Sequence, residues 1–183
     1  ENYTSAFVDV TEALRMGNSS ASVCKQAALL YLSSATELRN LKKASELAAK
    51  AVELLPKDVD CLFAIGLANY RSSARQESLE NCERALVEID KPANTSNAHA
   101  ASLLLCALAQ SQLGQAEASL QSYNSAMAWL GERAAIDDLY HLLEEARETL
   151  GVDDVQFNHQ KSPGRDSEES TSGSIDDENF IAQ

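Results

Sequence analysis

Residues 103–130 read LLLCALAQSQLGQAEASLQSYNSAMAWL, and the fold turns on this stretch. Apolar side chains recur at three- and four-residue spacing on both sides of Gly114, the pattern of two amphipathic helices. Gly114 sits between them, where a residue tolerant of left-handed backbone ends a helix. Ala107, Ser119 and Ala126 are small where helices folded back on each other must touch, and larger apolar residues fill the space around them.

Upstream, the same pattern recurs. Residues 4–16 place Ala6, Phe7, Val10, Ala13 and Leu14 on one helical face, and Gly17-Asn18-Ser19-Ser20 supplies turn chemistry. Residues 21–38 form a second expected helix with Ala27, Ala28, Tyr31, Leu32 and Ala35 inward. A third, residues 42–55, buries Ala44, Leu47, Ala48, Ala51, Val52 and Leu55 and stops at Pro56, which cannot continue the ladder. Asp58 is the expected N-cap of a fourth helix running through Tyr70, and Ser73 with Gln76 has capping-box spacing for a fifth. A longer turn, residues 91–96, precedes the opening pair.

Downstream, Gly131 stops the seventh helix. The eighth runs from about Arg133 to Leu150 with Ile136, Leu139, Leu142, Leu143, Ala146 and Leu150 on one side. From Val152 on, Ser, Asp and Glu dominate, and too few apolar side chains remain to offset the entropy of ordering. Residues 152–183 are therefore expected to be a disordered acidic tail that aids solubility; the alternative is that Ser167 or Ser174, beside acidic residues, is phosphorylated or that Phe180-Ile181 is presented to a partner.

The hairpins align. Ala44, Ala51 and Pro56 correspond to Ser78, Ala85 and Asp90 at a shift of 34, then to Ser119, Ala126 and Gly131 at a shift of 41. In the first helices, Ala28, Tyr31 and Leu32 correspond to Leu62, Ile65 and Gly66, then to Leu103, Cys106 and Ala107. A helix–turn–helix with a 34-residue period resembles the tetratricopeptide repeat, in which units stack because one hairpin cannot cover its own apolar face. The family's Trp position is Ala28, Leu62 and Leu103 here, a departure. The expectation is an all-α fold, a tetratricopeptide-like α-solenoid of about eight antiparallel helices. Residues 1–20 form an N-terminal half-repeat, 21–151 the repeats with a terminal capping helix, and 152–183 the tail.

A narrower resemblance covers residues 21–151. AAKAVELLPKDVDCLFAIGLANYR, AQSQLGQAEAS, MAWL and EEARETLG resemble the C-terminal repeat region of large bacterial multidomain proteins, many with a eukaryotic-like serine/threonine kinase domain. The resemblance implies a non-catalytic interaction scaffold within a larger signalling protein. The alternative is a regulatory or substrate-docking region of a kinase whose catalytic domain lies outside this chain. GxGxxG, HRD and DFG are missing from the sequence. The chain starts at Glu1 without Met and is read as a fragment.

Charge limits the partners. With 28 acidic and 15 basic residues, the net charge of −13 repels nucleic-acid phosphates and anionic membranes. No apolar run approaches the roughly 20 residues of a bilayer-spanning helix, so no membrane insertion is expected. Cys24, Cys61, Cys82 and Cys106 form no CxxC pair and lie among apolar neighbours, so they are read as core rather than zinc ligands. Unpaired cysteines favour a reducing compartment, and the cytoplasm is the expected location. Three Asn-x-Ser/Thr sequons, at Asn2, Asn18 and Asn94, do not by themselves make the chain secreted.

No convergent chemistry is visible. His99, His141 and His159 are scattered and read as solvated surface, and the carboxylate pairs Asp137–Asp138, Glu144–Glu145 and Asp153–Asp154 point apart along a helix or lie in the tail. No cofactor, metal or catalytic residue is expected. By the repeat resemblance, first helices line a concave groove: Gln26, Leu29, Ser33 and Glu37; Phe63, Leu67, Tyr70 and Arg71; Leu104, Leu108, Ser111 and Gln112. The groove would take a protein or peptide with Tyr70 and Arg71 as polar anchors, and self-association through it is a further reading. The alternative for Phe63, Leu67, Leu104 and Leu108 is packing against the N-terminal helix or a domain beyond this chain. The family's carboxylate clamp of Lys, Arg and Asn is not matched.

Overall fold

The computed structural model describes residues 2–17, 19–33, 40–89, 98–131 and 137–152. They form eight helices: α1 (Asn2–Arg15), α2 (Ala21–Ser33), α3 (Leu41–Leu54), α4 (Val59–Arg71), α5 (Arg75–Ile89), α6 (Ala98–Gln112), α7 (Ala116–Gly131) and α8 (Asp137–Leu150). There is no strand among the described residues. The expected tail beyond Val152, the turn at residues 91–96, Ile136 and His159 lie outside them.

Local chemistry sets the helix starts. Asn40 caps α3, its side-chain oxygen accepting from the Lys43 amide at 3.0 Å, and Asp58 caps α4 by accepting from the Cys61 amide at 2.9 Å. Pro56 ends α3 as expected, but Leu55 is about half exposed rather than buried. It lies past the last helical turn, where the chain swings off the inward face.

The α4–α5 and α6–α7 turns are the same device. After α4, the Ser73 amide donates to the Tyr70 carbonyl and the Ala74 amide to the Asn69 carbonyl. After α6, Gly114 donates to Ser111 and Gln115 to Gln110. Both are Schellman closures, with Ser73 (φ 64°) and Gly114 (φ 77°) in the left-handed region. Ser73 is thus not the N-cap of α5 but the closing residue of α4. It holds a position that glycine occupies without steric cost.

Three hairpins result, α2–α3, α4–α5 and α6–α7, each packed on the next through α3·α4 and α5·α6. The first helices also touch in series, α2 with α4 and α4 with α6, while α1 packs on α2. There Phe7 meets Tyr31 edge-on at 5.1 Å between ring centroids, with the Lys43 ammonium 4.9 Å from the Tyr31 ring centre. The Lys25 ammonium ties α2 to the start of α4, 2.8 Å from the Asp60 carboxylate.

The second helix of each hairpin buries a narrow stripe in a common register. Ala44, Ala48 and Ala51 on α3 correspond to Ser78, Cys82 and Ala85 on α5, and to Ser119, Tyr123 and Ala126 on α7, all buried. α6 is different, apolar around nearly its whole circumference because α4, α5, α7 and α8 surround it. Leu104, Leu105, Cys106, Ala107 and Leu108 lie at its centre, and the Ser119 hydroxyl donates to the Ala107 carbonyl at 2.7 Å. All four cysteines are free and buried, as the sequence reading expects.

Glycine at position 73 relieves a left-handed serine, worth about 1–2 kcal/mol, and gives back part of that in unfolded-chain entropy, about 0.5–1 kcal/mol. Ser73→Gly is therefore expected to raise the melting temperature by up to about 2–4 °C. Calorimetry of the two proteins checks this, and a lowered melting temperature would show that the Ser73 side chain holds the turn.

Candidate functional site

Of the twelve groove positions expected from sequence, the eight on α4 and α6 separate into two groups. Leu67, Tyr70, Leu104 and Leu108 are buried, the last two completely, so they line no open trough. Neither form of the alternative, packing against the N-terminal helix or against a domain beyond this chain, accounts for that burial: among the described helices α1 packs on α2 alone, whereas α4 is covered by α2, α3, α5 and α6, and α6 also by α7 and by α8. Leu139, Leu142, Leu143 and Ala146 of α8 join the same core cluster as Leu67, Tyr70, Leu104 and Leu108. Phe63 is half-buried against that cluster, Arg71 and Ser111 are half-buried, and Gln112 is exposed. Of the neighbouring first-helix positions, Gln26 is exposed and Leu29 half-buried, while the Ser33 side chain and Glu37 lie outside the described residues.

Tyr70, Arg71 and Gln112 nevertheless come together at the C-terminal ends of α4 and α6. The Gln112 amide nitrogen donates to the Tyr70 oxygen at 3.0 Å, and its amide oxygen accepts from Arg75 Nε at 2.7 Å. Arg71 Nη1 and Nη2 donate to the two carboxylate oxygens of Glu145 on α8, each at 2.5 Å. That fork-on-fork geometry is the strongest arrangement a guanidinium offers a carboxylate. Arg71 also lies 5.4 Å from the centre of the Tyr70 ring.

Arg75 and Glu145 are the members sequence reasoning missed. Arg75 stands at the start of α5, one turn beyond its neighbours. Glu145 is 74 residues from Arg71, in an adjacent-acid pair that reads as ordinary helix surface. Nothing local marks either.

Magnitudes separate the roles of these contacts. Burying three leucines of α8 is worth about 1.5–3 kcal/mol each, as an upper figure. The Arg71–Glu145 pair keeps 28% and 27% of its side-chain surface exposed, and pairs with that much solvent contribute roughly 0–1 kcal/mol. The apolar stripe therefore holds α8 down, and the ion pair fixes where along the face it rests. Chemically, the Arg71 guanidinium holds a carboxylate in a bidentate grip, that of the chain's own Glu145.

Among the described residues no three His, Cys, Asp or Glu side chains gather as metal ligands, and no helix is long and apolar enough to cross a membrane. His99 is not simply solvated, because it stacks on Trp129 at 5.9 Å with an interplanar angle of 4°. His141 is exposed beside Tyr140, as expected. On α5, an open cleft of about 610 Å³ lies against the Pro56–Lys57 turn, where Arg84 reaches the Pro56 carbonyl and Glu80, Glu83 and Glu88 crowd the wall. It shares no residue with the Tyr70 cluster.

Burial, and after it the nearby Glu145 carboxylate, push the Tyr70 phenol up to about 12. Its neutral form is thus favoured in the folded chain. The resulting stability is complete below about pH 10, the unfolded value, and is lost as pH rises through 12. Tyr70→Phe is expected to flatten the fall in stability between about pH 10 and 12. Urea unfolding at pH 9, 10.5 and 11.5 measures this; an unchanged slope would place the loss on Cys61, whose thiol burial also pushes up to about 12.

Comparison of the chain with protein-family models and with curated proteins gives no match.

Proposed function

We propose that the chain is a tetratricopeptide-type α-solenoid that binds a protein partner and carries no chemistry of its own. The observation behind this is the repeated hairpin. Three times, the second helix buries residues at the same three positions, small at the first and third, and twice a first helix packs on the hairpin before it. Such units present their first helices as one continuous surface, and stacked repeats use that surface for recognition. The polar cluster at Tyr70, Arg71 and Gln112 adds residue types that dominate binding hot spots.

The setting in a larger signalling protein rests on the resemblance of residues 21–151 alone. The cytoplasm is the proposed location, since four buried free cysteines suit a reducing compartment.

A photo-crosslinking side chain at Ser111, beside the cluster, is expected to give one discrete protein adduct in cells that make the protein. The same group at the exposed Leu120 of α7 is expected to give none of that adduct. Equal adducts from both positions, or none from Ser111, would remove the first-helix surface as a binding face.

A further inference from the structure

The way α8 is held differs from every earlier junction. α4 packs on both helices of the preceding hairpin, and so does α6. α8 packs chiefly on α6, makes slight contact with α7, and reaches back to α4 through Glu145. It rests on the α6 face and is linked to α4 by the Arg71–Glu145 pair at the C-terminal end of α4. Its buried residues, Leu139, Leu142, Leu143 and Ala146, form a single stripe at i, i+3, i+4 and i+7. That is how an amphipathic helical ligand seats in a groove. Tyr140 and His141, on the far side, are exposed.

The geometry points to α8 as an internal ligand that occupies the partner site, so that the true partner supplies an amphipathic helix of the same chemistry. That helix carries apolar side chains at the same i, i+3, i+4, i+7 spacing, with a carboxylate at the place of Glu145 for the Arg71 fork. The partner is chosen by charge as well as shape. Arg71 and Arg75 flank the Tyr70–Gln112 bond at one end of the face, and a guest without a carboxylate there leaves the half-buried guanidinium of Arg71 unpaired. Because α8 is tethered to α7 across only residues 132–136, its local concentration is high, and a partner in trans must outcompete it.

This inference rests on the protein-binding reading above. The probe is a fluorescein-labelled peptide of residues 137–150, measured by anisotropy with the full chain and with a Leu142→Glu, Leu143→Glu variant whose own α8 cannot seat. The variant is expected to bind the peptide at least about ten-fold more tightly than the unaltered chain. Adding Arg71→Glu should cost the variant about ten-fold, and a peptide carrying Glu145→Arg should restore the loss.

A helical, cooperatively melting variant that binds no better than the unaltered chain overturns the inference, as does indifference to Arg71→Glu. If the variant unfolds, hydrogen exchange of the unaltered chain decides. α8 amides exchanging about ten-fold faster than those of α6 support displacement, and equal protection overturns it. A dimer in sedimentation that the two α8 substitutions abolish would assign the face to a second copy and likewise overturn the partner-helix assignment. Failure of the peptide with the Ser111 adduct intact leaves the scaffold reading standing; the reverse result makes the α8 seat a purely structural contact.

Discussion

At Gly66, α4 meets α5 with no room for a side chain. A Cβ placed there would lie 2.8 Å from the Cys82 sulfur and 3.5 Å from both the Ser78 carbonyl oxygen and a Leu105 methyl. Glycine in mid-helix costs about 0.5–1 kcal/mol against alanine, so its presence marks a place where contact outweighs propensity. Every neighbour is pinned. Cys82 is fully buried with Cys106 beside it, and burial pushes its thiol well above the usual value. The backbone of Ser78 belongs to α5 itself.

From that approach the rest follows. Once α5 lies close on α4, α6 can pack on both, and Leu104, Leu105 and Leu108 enter a space with no solvent left. The same small positions recur one hairpin on, where Ser119 sits low enough to hydrogen-bond the Ala107 carbonyl and Ala126 is fully buried. An α6 enclosed by four other helices explains an apolar circumference that would otherwise suggest aggregation. It also explains why α8, with a narrow stripe of three leucines and an alanine, is enough to close the remaining side.

Much of this was legible in the sequence. The three- and four-residue spacing gave the helices, and the recurrence of Ala44/Ser78/Ser119 and Ala51/Ala85/Ala126 gave the register, because side chains that permit contact must be small wherever the contact repeats. Caps at Asp58 and the stop at Pro56 followed from local hydrogen-bond chemistry. Ser73 misled because capping-box spacing is a pattern of residue types, whereas its left-handed φ depends on how α4 ends. Leu104 and Leu108 were expected at an open face, and they are buried because α6 is packed among α4, α5, α7 and α8. The Arg71–Glu145 pairing depends on a tertiary crossing that no window of neighbouring residues encodes.

Helix contact rather than helix propensity decides this fold, and denaturant unfolding of Gly66→Ala with and without Cys82→Ala separates the two. Propensity alone makes Gly66→Ala stabilising by up to about 1 kcal/mol. Overpacking of a tight contact costs about 1–3 kcal/mol, so net destabilisation is expected, with a smaller penalty when Cys82→Ala has cleared the sulfur. A Gly66→Ala protein more stable than the unaltered chain would contradict the precedence of contact over propensity.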